Sequence, residues 1–269
     1  MFWNLMWIEL ILLVVFMITV FSGLYIAIQG TPDGVSITDT DLAKISQLIS
    51  WPGSLAFSLR FAAGSKFLLI IFIGAVTALE YTWRTYQMWL SRGVHCSLLL
   101  GTKFISLCLP VLLVVTGALI AGGAISAIVS LLINGILYLE QVNFWQLGLD
   151  IFRTACTLLP YAGITFLLAV ATRSAVAAIG GCTAYGLIVE SILPETLLLF
   201  AGRFGEIAKY LPANLMQSIL SASWTTPALM DELLPGLLPP NQAAVSIAIC
   251  TLSLFAMALW LFKRQDFSG

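Results

Sequence analysis

Long uncharged apolar runs separated by short polar segments set the pattern of the chain. A helix needs roughly 20 apolar residues to cross about 30 Å of hydrocarbon. By that measure the pattern predicts six transmembrane helices, over about 10–28, 66–81, 104–132, 155–172, 175–193 and 243–262. A polar loop, GTPDGVSITDTDLAK, follows the first run, and WPGSLAFSLRFAAGS after it reads as a short amphipathic piece at the interface. Pro110 predicts a kink in the third span, because proline removes a helical hydrogen bond. The loop around 134–146 is polar enough to leave the membrane, and Arg173 and Ser174 form a tight turn between the fourth and fifth spans. Residues 194–240 hold six of the ten prolines, at 194, 212, 227, 235, 239 and 240. That density argues against a continuous span, and stretches such as YLPANLMQSIL suit re-entrant or interfacial helices. The expected fold is an all-α membrane protein with residues 1–269 forming a single transmembrane domain.

Composition turns this pattern into a commitment. The chain is 60% hydrophobic and 9% charged, with mean hydropathy +1.01. A soluble domain carries about 25% charged residues, so the bilayer is the expected solvent. A net charge of −1 gives nucleic acid no electrostatic footprint. Cys96, Cys108, Cys156, Cys182 and Cys250 form no C-x-x-C pair and read as small buried residues. His95 is the one histidine, so no zinc site is expected. The first nine residues lack a basic region, and the following run is too long for a signal peptide, so the first helix is expected to be retained.

Six spans put both termini on one side, and Lys and Arg decide which. With the termini inside, inner segments carry Arg84, Arg92, Lys103, Arg173, Lys263 and Arg264, while outer segments carry Lys44, Arg60, Lys66, Arg153, Arg203 and Lys209. The numbers tie, but the inner segments are far shorter and therefore denser in positive charge. Ten of the thirteen acidic residues fall outside under the same orientation. The termini are accordingly expected in the cytoplasm.

Residues 80–103, EYTWRTYQMWLSRGVHCSLLLGTK, are the most informative stretch. Glu80 and Arg84 stand in the favourable i, i+4 order, and Tyr81, Trp83, Tyr86 and Trp89 suit a membrane–water interface. Gly93 breaks the helix, Val94 to Leu100 can restart it, and Lys103 marks the start of the third span. The expected geometry is a helix leaving the membrane, a turn, and a short helix returning, able to dock a soluble partner or to serve as an ordinary interfacial loop.

The string Glu80-Tyr81, Thr85, Leu90, Arg92-Gly93 and Lys103 resembles the pattern E-Y-x-x-G-T-x-x-x-x-L-x-R-G-x-x-R, followed by a lysine eleven residues after the first arginine, of ABC transporter permeases of the type-2 exporter class. WPGSLAFSL resembles the loop of a related subgroup, YLPANLMQSIL its outer re-entrant region, and KRQDF the common ending of the family. The resemblance implies a six-helix permease in a bacterial plasma membrane. It would dimerise with a second permease chain, alike or related, and bind two cytoplasmic ABC ATPase subunits that hold the ATP and Mg. Ser91, Arg92, Gly93, Val94, His95, Cys96, Ser97 and Leu98 would form the coupling helix. Glu80, Tyr81, Arg84 and Lys103 would support the gate, Tyr210, Leu211 and Pro212 would belong to an outer gate, and the second and fifth helices would line the path. The sequence departs from the family in lacking most of the N-terminal amphipathic helix, in Arg84 where glycine is usual, and in Cys96 where arginine is usual.

Other chemistries find less support. No lysine follows a glycine, so the chain has no phosphate-loop ATP site, and it contains no G-x-S-x-G elbow. A secondary transporter or channel without an ATPase is the alternative. Such a transporter would normally carry ionisable residues at the bilayer midplane. Glu80 and Arg153 instead sit near predicted span ends, and Glu190 lies toward the outer end of the fifth span. The small residues Gly117, Ala121, Gly122 and Gly123, and Ala178, Gly180, Gly181 and Cys182, predict close helix approach, within the subunit or at a dimer seam. The transported substrate is expected to be hydrophobic or amphipathic, without further identity.

Overall fold

A computed structural model of the chain describes residues 2–29, 51, 53–134, 143–190, 192, 209–222 and 238–265. Every regular element among them is helical: α1 (Phe2–Gln29), α2 (Gly53–Gly64), α3 (Lys66–Thr82), α4 (Thr85–Ser91), α5 (Cys96–Ser106), α6 (Cys108–Asn134), α7 (Phe144–Thr172), α8 (Ala175–Ala184) continuing into a π-helical turn (Tyr185–Val189), α9 (Pro212–Leu220) and α10 (Pro240–Lys263).

Four helical stretches are long and apolar enough to cross a membrane: Met6–Gly23, Cys96–Leu131, Phe144–Thr172 and Pro240–Lys263. The pair α2 and α3, bent by 43°, makes a fifth if counted as one span, and Ala175–Val189 is a shorter apolar helix. The described residues are thus all-helical with four to five candidate spans, against the six that the run pattern predicts. The outward faces fit a lipid solvent, since Ile120 is 72% and Val176 83% exposed.

Local chemistry explains where the helices begin and end. Asn143 caps α7 by accepting from the Trp145 and Gln146 amides at 3.2 and 3.4 Å, as an asparagine N-cap should. The fourth span therefore starts at Phe144, well before the expected 155, and brings Asp150 and Arg153 onto the helix. Ser174 caps α8 through the Ala177 amide. Proline occupies the first helical turn of α9 and α10, where its missing N–H is not needed. Pro110 likewise falls in the first turn of α6, because Leu107 interrupts the helix just before it.

α7 is the centre of the bundle. It packs against α10, α3, α8, α9, α6 and α2. Leu158, Ala162, Phe166 and Val170 on α7 join Leu69, Phe72 and Ile73 of α3 and Leu100 of α5 in one core. Without a hydrophobic driving force inside lipid, close van der Waals packing between small residues carries much of this association.

The segment 51–65 corrects the expectation of an interfacial piece. α2 is buried, with Leu55, Ala56, Leu59, Ala62 and Ala63 all within the core, and it lies along α6. The approach is possible because both helices present small residues. A Cβ on Gly122 would overlap the Ser58 side chain, at 2.6 Å from its Cβ, and one on Gly123 would come within 3.3 Å of Leu55. Ser58 satisfies its own hydroxyl by donating to the Ser54 carbonyl at 2.8 Å. The small residues of α6 therefore pack within the subunit, as does Gly181 against Leu168, whereas Gly180 faces open space.

The chain direction follows from the contacts. Met6 and Pro110 border one hollow, and Leu10 and Met17 face Gly117 and Gly122, so α1 and α6 run in parallel. At the far end of the chain, Phe262 packs on Tyr86 with ring centroids 5.3 Å apart. The start of α1, the α4–α5 hairpin and the end of α10 thus share one end of the bundle. Whether residues 135–142, 193–208 and 223–237 add further crossings lies outside the described residues.

Candidate functional site

The α4–α5 hairpin contains all of the residues expected to couple. α4 ends at Ser91, whose hydroxyl donates to the Met88 carbonyl at 2.9 Å. Arg92 follows as the C-cap with its guanidinium 5.6 Å from the Trp89 ring centroid. Gly93 takes φ +82°, which is left-handed and costs glycine least. The Gly93 and Val94 amides then return to the Leu90 and Trp89 carbonyls at 3.0 and 3.3 Å, closing the helix end in the way glycine-terminated helices do. His95, extended at ψ 135°, opens α5, and Cys96 is its first residue. The expected coupling segment, Ser91 to Leu98, is therefore not one helix. It comprises a helix end, a four-residue turn and a helix start. Ser97 and Leu98 are exposed, as are Arg92, Gly93 and His95, while Val94 and Cys96 are half-buried.

An ion pair closes the hairpin at its base. Lys103 of α5 reaches Glu80 of α3. This replaces the Glu80–Arg84 pair that i, i+4 spacing predicts. The reason is local: α3 ends at Thr82, and Arg84 adopts φ 53°, ψ 27°, so the two residues do not share a helix. That left-handed backbone also explains why glycine suits the position. Tyr81 stacks near Tyr86 with centroids 4.6 Å apart. Tyr86 is 2% exposed, and its burial, followed by the charge of Glu80, pushes the phenol above its ordinary pKa. Its buried hydroxyl lies close enough to Glu80 for the carboxylate to act on it.

A second ionic group lies inside the bundle, and span-by-span reading misses it. Lys66 at the start of α3 places Nζ 2.5 Å from Glu190 Oε2. Tyr161 of α7 donates its hydroxyl to the same carboxylate, with oxygen separations of 2.9 and 3.0 Å. The Lys66 ammonium also sits 4.7 Å from the Tyr161 ring centroid. Side-chain exposure is 13% for Lys66 and 2% for Glu190, so this is a buried pair with its lone pairs and protons largely satisfied, the condition under which such a pair can persist.

Glu190 follows the end of the fifth apolar helix, as the sequence places it, and is buried there. Tyr161 lies eleven residues before Thr172 on α7, about 16 Å along the axis at 1.5 Å per residue. The segment 175–189 that precedes Glu190 is about 22 Å long by the same rise. The turn at Tyr185–Val189 that delivers Glu190 is π-helical, a form found often at functional positions. Gly186 within it approaches Phe67, where a Cβ would stand 3.3 Å from the ring. In the sequence Lys66 and Glu190 are isolated charges at the edges of apolar runs, with nothing that pairs them.

The expected outer-gate residues sit on a packed element. Tyr210 is 55% exposed, Leu211 is the N-cap of α9, and Pro212 begins that helix. Leu215 and Ile219 pack on Ala243 and Ile247 of α10, while Met216 and Leu220 pack on Ala63 of α2. Nearby, Arg153 donates to Asp150 at 3.0 Å and to the Ala222 carbonyl at 3.2 Å. Among the described residues, no group of three His, Cys, Asp or Glu side chains could hold a metal ion.

No protein-family model matches the chain and no curated protein matches it, so the functional reading rests on its residues and geometry.

Proposed function

We propose that the chain is the membrane-spanning permease subunit of an ATP-driven exporter of the ABC type-2 class, with six spans if residues 175–193 complete a crossing. The observation that carries this reading is the α4–α5 hairpin, a protruding turn whose Arg92-Gly93 tip and Glu80–Lys103 base fall on the residues of the family pattern. The tip offers an exposed, partly apolar and cationic surface in Trp83, Met88, Trp89, Arg92 and Leu98, chemistry suited to a soluble partner. Since no Gly-Lys occurs in the sequence, ATP and Mg would be bound by that partner. Closure of two ATPase subunits would push on the hairpins of a permease dimer. The clamp at Glu80 would pass the movement to α3, and the path between subunits would open toward the outside. The hairpin end, with both termini, would face the cytoplasm of a bacterial cell. The substrate class that suits an apolar path is hydrophobic or amphipathic.

The test is affinity isolation of tagged chain from gently solubilised native membranes. A phosphate-loop ATPase should accompany the parent chain and be depleted at least tenfold from Arg92→Glu. Absence of any ATPase under every condition would refute the reading.

A second reading is favoured by one observation. Lys66, Glu190 and Tyr161 form a buried ionic group between apolar helices, and charges in such surroundings often serve ion or proton pathways. On that reading the chain is a secondary transporter that needs no ATPase. Transport by the purified chain alone in liposomes, driven by an imposed proton gradient and lost in Glu190→Gln, would favour it over the exporter.

A further inference from the structure

Between α7 and α10 lies a hollow of about 540 Å³, within the size range of pockets that hold one small ligand. Phe152 and Leu159 of α7 form one side, and Ala244, Ala248 and Leu252 of α10 the other. Ala244 and Ala248 stand one turn apart and are exposed, so small side chains leave the space open. Both helices are long and apolar enough to span. The exposed face of such a helix meets hydrocarbon, so the hollow opens sideways toward lipid.

Two of its polar groups gather at one end. Asn241 is the second residue of α10. Arg153 donates to Asp150 at 3.0 Å and to the Ala222 carbonyl, just past α9, at 3.2 Å. Both bonds use Nη1, and a guanidinium carries five N–H donors. This end lies away from the hairpin, because α10 runs from Pro240 here to Phe262 beside Tyr86. Polar groups at the end and hydrocarbon beyond them match a lipid of one leaflet, with its head at the surface and its chain directed inward.

Thr251 breaks that layout. It lines the same hollow ten residues beyond Asn241, about 15 Å along the helix axis. It is 6% exposed, and its hydroxyl has no hydrogen-bond partner among the described residues. A helical threonine can give its proton to the carbonyl four residues back. Thr19, Thr116, Thr154 and Thr165 do so at 2.8, 2.7, 2.7 and 2.8 Å, whereas Thr251 forgoes the bond. A buried hydroxyl left unpaired is costly, and an oxygen atom entering the hollow would pair it.

We propose that this hollow binds a single-chain acyl amphiphile. Its head accepts hydrogen bonds from Arg153 and Asn241, and its chain carries a hydroxyl or carbonyl oxygen partway along that accepts from Thr251. The inference rests on neither functional reading, since the hollow belongs to one chain and needs no ATPase or proton gradient.

The test uses the full chain in phosphatidylcholine nanodiscs, with isotope-labelled stearate and stearate hydroxylated near mid-chain as the two probes. The parent should bind the hydroxylated acid about tenfold more tightly, as one further hydrogen bond to a buried group allows. Thr251→Val should remove that preference and leave stearate binding unchanged. Its unliganded Tm should stay level or rise, because an unpaired hydroxyl is replaced by a methyl of similar shape. Ala248→Phe, at an exposed position, should fill the hollow and abolish binding of both acids with no loss of Tm. Failure of the parent to bind either acid, equal affinity of the parent for both, or a preference that survives Thr251→Val overturns the proposal. Full binding by Ala248→Phe, or a lower unliganded Tm in Thr251→Val, also overturns it, because the acids would then bind elsewhere or the hydroxyl would be serving the fold.

Discussion

Two lysine–glutamate pairs among the described residues have the same chemistry and differ in how deeply they are buried. Lys66–Glu190 joins α3 to the end of α8 in the interior, with Tyr161 on the same carboxylate and 2% of the Glu190 side chain exposed. Glu80–Lys103 joins α3 to α5 at the base of the hairpin, with 16% and 33% exposed. Removing charge from water is expensive, and a buried pair survives only while both partners remain. A pair with more water access is weakened further by solvent and salt and contributes less. The interior pair therefore fixes how three helices meet. The hairpin pair is weak enough to yield if the hairpin moves, as the proposed coupling role would require.

The largest expected effect is at the interior pair. Lys66→Met leaves Glu190 buried and uncompensated, and should cost about 3–5 kcal/mol in thermal or denaturant unfolding in micelles. The double change Lys66→Met with Glu190→Leu should recover most of that loss, because no lone buried charge remains. If Lys66→Met costs no more than Glu80→Gln, the contrast between the two pairs is wrong.

Glycines sharpen the same contrast. Gly74 lies in the interior, where a Cβ would stand 2.6 Å from Ile179. Gly74→Ala should therefore destabilise by about 1–3 kcal/mol through overpacking. Gly93 at the hairpin tip has nothing within 4 Å of a built Cβ, so Gly93→Ala should cost only the left-handed backbone, about 1 kcal/mol. That loss should be accompanied by weaker ATPase capture if the tip is a docking surface. The smallest effect is expected for Glu80→Gln, below about 1 kcal/mol, and it should shrink further in high salt.

Part of this organisation can be read from the sequence and part cannot. The helical, membrane-embedded character follows from apolar runs alone, and the hairpin follows from Gly93 and the polar residues around it. Span boundaries were harder. Asn143 is a cap that adds eleven residues to the fourth span and so carries Asp150 and Arg153, charged positions outside the expected run, into the helix. α2 was misplaced because Ser54, Ser58 and Arg60 read as interfacial polarity. In the structure the two serines are buried and a neighbouring helix of small residues covers them. The interior ionic group was out of reach of any one-span argument, since Lys66, Tyr161 and Glu190 lie on three segments and only tertiary packing brings them together. The Glu80–Arg84 pairing failed for one backbone angle, the left-handed φ of Arg84 that ends the helix between them.

Photo-crosslinking from two exposed apolar positions separates the hairpin from the rest of the surface. Leu98 is 62% exposed at the hairpin and Ile120 is 72% exposed on α6. A photoreactive amino acid at each site, activated in native membranes, should give an adduct with a phosphate-loop ATPase from Leu98 and none from Ile120. An ATPase adduct from Ile120 but not from Leu98, or no ATPase adduct from either, would contradict the assignment of the hairpin as the coupling surface of an ATP-driven exporter.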